Sequence, residues 1–178
     1  VVDEGEGGLV RYGLLETLRQ YGWERLRESG ETEKVQDRHL DFFLDLAEES
    51  EPESRGSRQV EWMERLEVEH DNLRAALRWS EESGKAEEGM RLSGALWRFW
   101  EIHGYWSEGR RWFEGVLGLA AASTRTATRA KALNDVGRLA RLQGDYVTAR
   151  SLLEESLAIS RELGDKQGIA NSLYNLGQ

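Results

Sequence analysis

The sequence predicts an all-α fold: antiparallel helix pairs in a right-handed superhelix, preceded by a small helical region. Three observations predict it. Only one proline, Pro52, interrupts 178 residues, so few positions break a helix. Apolar residues in the amino-terminal half recur at helical spacing. The carboxyl half repeats itself at a step of 40 residues, the mark of stacked helical units. Composition narrows the function. Acidic residues exceed basic ones by 33 to 24, for a net charge of −9, which argues against direct nucleic-acid binding and against anionic membranes. There is no cysteine, which excludes disulfides, thiolate nucleophiles and cysteine-zinc sites. No apolar run approaches the roughly 20 residues of a bilayer span, and the acidic start VVDEGEGG is no signal peptide. A cytoplasmic location is expected.

Residues 1–8 are expected to fray. Leu9 to Tyr12 reads as a short strand. A helix from Leu14 to Glu28 carries Leu14, Leu15, Leu18, Tyr21 and Leu26 on one side, and Ser29-Gly30 stops it. A second helix runs from about Glu33 to Ser50, with Val35, His39, Phe42, Phe43 and Leu46 as its apolar face. Pro52 and Gly56 punctuate the chain. A third helix covers about Ser57 to Ser83, with Met63, Leu66, His70, Leu73 and Leu77 in its stripe.

From Ala86 the repeat takes over. HGYWSEGRRWFEGVL (103–117) aligns with QGDYVTARSLLEESL (143–157). Gly104 falls on Gly144, Trp106 on Tyr146, Gly109 on Ala149, Phe113 on Leu153 and Leu117 on Leu157. The same shift lays residues 132–137 on 172–177. Gly137 lacks a side chain where two helices would cross closely. Gly144-Asp145 ends one helix and restarts the next, with the Asp145 carboxylate as N-cap. Such a pair cannot bury its apolar face alone, so neighbours stack into a curved solenoid with a concave side.

Val136, Gly137, Gly144, Asp145, Tyr146 and Ala149 resemble the tetratricopeptide repeat. The step of 40, against the commoner 34 or so, is similar to the long-helix variety in maltose-regulon-activator-type regulators. The first unit departs from the pattern: Trp97 replaces the glycine, Tyr105-Trp106 the Asp-Tyr pair, and Gly109 the alanine. Segments 11–31, 38–49 and 60–80 resemble parts of bacterial signal-transduction (STAND-type) ATPases, including AfsR-like and LuxR-like transcriptional regulators. That resemblance implies three regions: 1–34, the tail of a winged-helix-like region and a linker helix; 35–88, a helical arm; and 89–178, repeats at 89–128, 129–168 and a partial 169–178. It also implies ATPase and DNA-binding domains elsewhere in a longer parent chain. No G-x-x-x-x-G-K-[ST] motif occurs, so the family's nucleotide-binding residues carry over to no position. The stop at Gln178, after a repeat's first helix, implies an apolar edge at Leu173 and Leu176 open to self-association.

No constellation supports catalysis, a metal or a cofactor. His39, His70 and His103 continue apolar stripes and read as packed core histidines. Adjacent carboxylates such as Glu48-Glu49 and Glu154-Glu155 lie on solvated faces beside arginines, not across a cleft. Trp97, Trp100, Trp106 and Trp112 form an aromatic cluster, read first as packing and second as an anchor pocket. The first helix of each repeat should line the groove. It brings Arg91, Lys131 and Asn171 into register, likewise Asn134 with Tyr174, and Arg98 with Arg138, with Arg141 beside them. These eight residues are the partner-binding candidates, a basic strip suited to an acidic peptide or carboxylate. The expected role is a non-catalytic sensor or interaction module binding a protein, peptide or small-molecule inducer. The alternative is a structural scaffold.

Overall fold

Helices in this chain end where glycine takes a left-handed backbone: Gly30, Gly84, Gly104, Gly144 and Gly164 all have φ between 67° and 78°. The last four fall at multiples of 20 residues, the half-step of the repeat. The computed structural model describes residues 2–4, 10–12, 15–119 and 124–178, and side chains from Leu15 onward except those of Glu16 and Arg19. It divides into two compact units, Val1–Arg38 and His39–Gln178.

In the first unit, β1 (Val2–Glu4) pairs antiparallel with β2 (Val10–Tyr12), with Val2 opposite Tyr12. β2 matches the expected strand, whereas residues 2–4 are paired rather than frayed. Leu9 and Leu14 lie outside the described residues. Helix α1 (Glu16–Ser29) ends on Gly30, whose N–H donates to the Arg27 carbonyl. The Thr32 hydroxyl donates to the Leu26 carbonyl and ties α1 to the start of α2 (Thr32–Glu53). The expected stripe on α1 is exposed at Leu15, Leu18 and Tyr21.

The second unit begins within α2. This helix outruns its expected stop and includes Pro52 in its last turn, where a missing N–H forfeits a single bond near an end. Leu40, Phe43, Leu44, Leu46 and Ala47 are buried, while Phe42, assigned to the buried face from the sequence, is exposed. The predicted third helix is two: α3 (Gln59–Val68) and α4 (His70–Glu82), separated at Glu69 with φ −95° and ψ 6°. The break lets each piece bury its own set, Trp62, Met63 and Leu66 on α3 and His70, Leu73, Ala76 and Leu77 on α4.

Five helices follow: α5 (Ala86–His103), α6 (Trp106–Leu119), α7 (Ala127–Leu142), α8 (Tyr146–Leu163) and α9 (Lys166–Leu176). Apart from the β1–β2 ribbon, every described element is helical, and the fold is the all-α helical repeat that was expected. The copying is visible residue by residue. The order of exposed, half-buried and buried residues over 91–100 recurs position for position over 131–140. Gly104 and Gly144 occupy like surroundings, with φ 75° and 78° and open space where a Cβ would stand. Asp145 caps α8 as predicted, its Oδ1 accepting from the Thr148 N–H at 3.2 Å.

The two pairs cross closely in different ways. On α7, a Cβ at Gly137 would stand 3.0 Å from Leu153 Cγ and 3.3 Å from the Ala149 carbonyl. The α5 counterpart is Trp97, so no close approach is available there. The small residue has moved to the second helix: a Cβ on Gly109 would stand 2.6 Å from the Trp100 ring. Trp100 and Gly109 stand at the repeat positions that Ala140 and Ala149 hold in the next pair, one large and one absent side chain in place of two small ones. The departures of the α5–α6 pair from the repeat pattern exchange volume between its two helices.

Candidate functional site

The first helices of successive repeats, α5, α7 and α9, face one groove of about 910 Å³, and the end of α2 supplies a further wall. Its lining includes Arg91, Arg98, Lys131, Asn134, Arg138, Asn171 and Tyr174, seven of the eight candidates, together with Trp97 of the aromatic cluster. Arg141 does not line it; it is half-buried, and its Nε is enclosed without a hydrogen-bond partner among the described residues. Sequence reasoning missed Glu48 and Glu51 of α2, Arg55 of the turn after it, and the buried Asp135 on α7.

The candidates do different things. Arg91 forms two hydrogen bonds to Glu48, each at 2.8 Å, and so ties α5 to α2. Asn134 is a buried tie between α7 and α9: its amide donates to Ser172 Oγ and its oxygen accepts from Asn175 at 2.8 Å. Asn171 and Tyr174 are exposed on α9. Lys131 donates to the Gly94 carbonyl at 2.8 Å and pairs with Glu51 at 3.0 Å and with Asp135 at 3.3 Å. Burial works against its charge, but Asp135 and Glu51 outweigh it, and the Lys131 pKa is raised.

Asp135 is held the other way. Burial pushes its carboxyl up to about 6, with Lys131 and Arg138 only partly offsetting that. An acid whose folded pKa lies above its unfolded value destabilises the fold while it must stay ionised. The cost is full above pH 6 and is gone below the ordinary aspartate range. Asp135→Asn removes this dependence. The stability difference between the variant and the parent should shift by about 1.4 kcal/mol per pH unit inside that window. Paired urea titrations at pH 7 and pH 5 read it; a difference that does not change with pH contradicts the assignment.

The aromatic cluster is mainly packing. Trp97, Trp100 and Trp112 are buried and Trp106 is half-buried, its Nε1–H donating to the Glu101 carbonyl at 3.2 Å. Trp97 alone lines the groove, and guanidinium groups occupy its surroundings. The Cζ of Arg138 lies 3.8 Å from the Trp97 ring centroid, that of Arg98 5.8 Å and that of Arg55 5.9 Å. Glu101 pairs with Arg98 and stands 3.7 Å from Arg138. The register match of Arg98 with Arg138 thus becomes a shared carboxylate and a shared indole.

The histidines are integrated into the packing. His70 Nε2 lies 3.1 Å from Glu108 and the ring stacks on Tyr105. His103 Nδ1 donates to the Phe99 carbonyl. Burial lowers the pKa of His39, against a hydrogen bond with Asn72. Among the described residues no three His, Asp or Glu side chains are grouped to hold a metal ion, and no helix is long and apolar enough to cross a membrane. At the carboxyl end Leu173 is exposed and Leu176 half-buried.

Comparison with known proteins agrees with this architecture. Residues 128–178 match the tetratricopeptide repeat family. Over 99% of its length the chain is 35% identical to proteins named "Putative HTH-type transcriptional regulator" from Mycobacterium bovis and from two strains of Mycobacterium tuberculosis. It spans about a fifth (21%) of the length of these relatives. No solved structure matches the chain.

Proposed function

We propose that this chain is a non-catalytic interaction and sensing module, and that the groove along α5, α7 and α9 is its binding face. The observation that carries the reading is the register of the groove. Side chains spaced 40 residues apart converge there with charge and aromatic surface exposed to one cavity, whereas α6 and α8 contribute mostly packing. Tetratricopeptide repeats commonly serve protein interaction, and the relatives are named as transcriptional regulators. Both support a regulatory role over an enzymatic one. In a longer parent chain with ATPase and DNA-binding domains, in the cytoplasm, a bound inducer or partner would bridge successive repeats. It would favour one stacking of the helix pairs over another.

The test is tryptophan fluorescence of the 178-residue protein against panels of peptides and metabolites, since Trp97 lies in the groove. A saturable response that Arg138→Gln or Tyr174→Ala abolishes, in a variant that remains folded, is the expected result. A response that survives both changes removes the groove as the binding face. The second reading, a scaffold without sensing, draws on Leu163, Leu173 and Tyr174, all exposed near the carboxyl end. Self-association that Leu173→Glu abolishes, with no ligand response, would favour it.

A further inference from the structure

Three of the twenty arginines of this acidic protein meet at one indole ring. Around Trp97 stand the guanidinium groups of Arg55 from the turn after α2, Arg98 from α5 and Arg138 from α7, within 3.8–5.9 Å of one ring. Arg141 lies one helical turn beyond Arg138. Arg98 and Arg138 share the carboxylate of Glu101, and Asp135 also acts on Arg138, while Glu51 and Asp135 pair with Lys131. Arg55 and Arg141 form no ion pair among the described residues, and the Nε atoms of Arg98, Arg138 and Arg141 are enclosed with no hydrogen-bond partner there. Buried guanidinium donors without acceptors are costly. Burial first holds Arg138 below the ordinary arginine range; Asp135 and Glu101 pull it back up in part, and repulsion from Arg55 and Arg141 adds to the lowering.

We propose that the Arg55–Arg98–Arg138 cluster on Trp97 is a site for a small-molecule oxyanion, a metabolite bearing carboxylate or phosphate groups. This rests on the groove being the binding face and names the ligand class it takes. Geometry favours an oxyanion because guanidinium edges fork onto such oxygens. Trp97 holds the Arg138 plane by stacking and so pre-orients that fork. A small molecule fits the space: about 910 Å³ lies within the range of ligand cavities. The site draws on the turn after α2 and on α5 and α7, so an anion there would fasten that turn to both repeats. That is a direct way for a ligand to alter stacking.

The test is calorimetric titration of the 178-residue protein with inorganic phosphate, pyrophosphate and citrate at constant ionic strength, with chloride as control. Saturable binding of at least one of them is expected, weakened about tenfold or more by Arg55→Gln. Arg55 is exposed near the end of a helix, so its loss should leave the fold intact. Arg125→Gln, at an exposed pair with Glu162, should leave binding unchanged. No saturable binding of any of the three, or binding that Arg55→Gln leaves unchanged, overturns the proposal. So does binding of an oligoglutamate peptide with none of the small anions, which would make the site a peptide dock. A neutral ligand whose response is lost in Tyr174→Ala would uphold the groove while rejecting the anion, so the two readings fail separately.

Discussion

Replacing Trp100 by alanine is expected to lower the unfolding free energy by about 3–5 kcal/mol. The indole is 1% exposed, lies against Phe113 at 5.8 Å between centroids, and fills the space that Gly109 leaves open. Its removal leaves a cavity lined by α5, α6 and Leu139 of α7, at the joint between the two repeats. A backbone fixed by three helices collapses poorly into such a void. Urea denaturation followed by circular dichroism reads the loss. A change below about 1 kcal/mol would show that the side chain is not the keystone of that crossing.

Gly109→Ala should also destabilise, although alanine is the better helix former by about 1 kcal/mol. The new Cβ would stand 2.6 and 2.7 Å from atoms of the Trp100 ring and 3.0 Å from Leu139 Cδ1. A buried ring has no flexible end to swing aside, so the helices themselves must move. Overpacking of this kind costs about 1–3 kcal/mol, enough to reverse the helix gain. The same substitution at the exposed Gly22, where a Cβ meets nothing within 4 Å, should be neutral or stabilising. Thermal melts of the two variants give opposite signs if close approach is the cause.

What the sequence made legible follows from periodicity. Gly144-Asp145-Tyr146 announces a turn because each residue has a local job, and the structure shows the left-handed glycine and the aspartate cap. The 40-residue step places Arg98 and Arg138 together, because repeats carry equivalent positions into adjacency. Arg55 and Glu51 were out of reach: nothing in the order of residues ties the end of α2 to a helix eighty positions later. Asn134 was assigned to the groove by register, yet its amide is spent between α7 and α9. Position shows which way a residue faces, not what it bonds. The α3–α4 break was hidden because its apolar stripe runs on through His70 with no glycine or proline at Glu69.

The pairs α5–α6 and α7–α8 are one repeat with volume redistributed between helices. The most direct measurement is the double-mutant cycle of Trp100→Ala and Gly109→Ala, which recreates the alanine pair of Ala140 and Ala149. Gly109→Ala should turn from harmful to neutral or stabilising once Trp100 is gone, a coupling of about 1–3 kcal/mol. Strict additivity of the two losses would mean that the crossings are unrelated and the units are not copies.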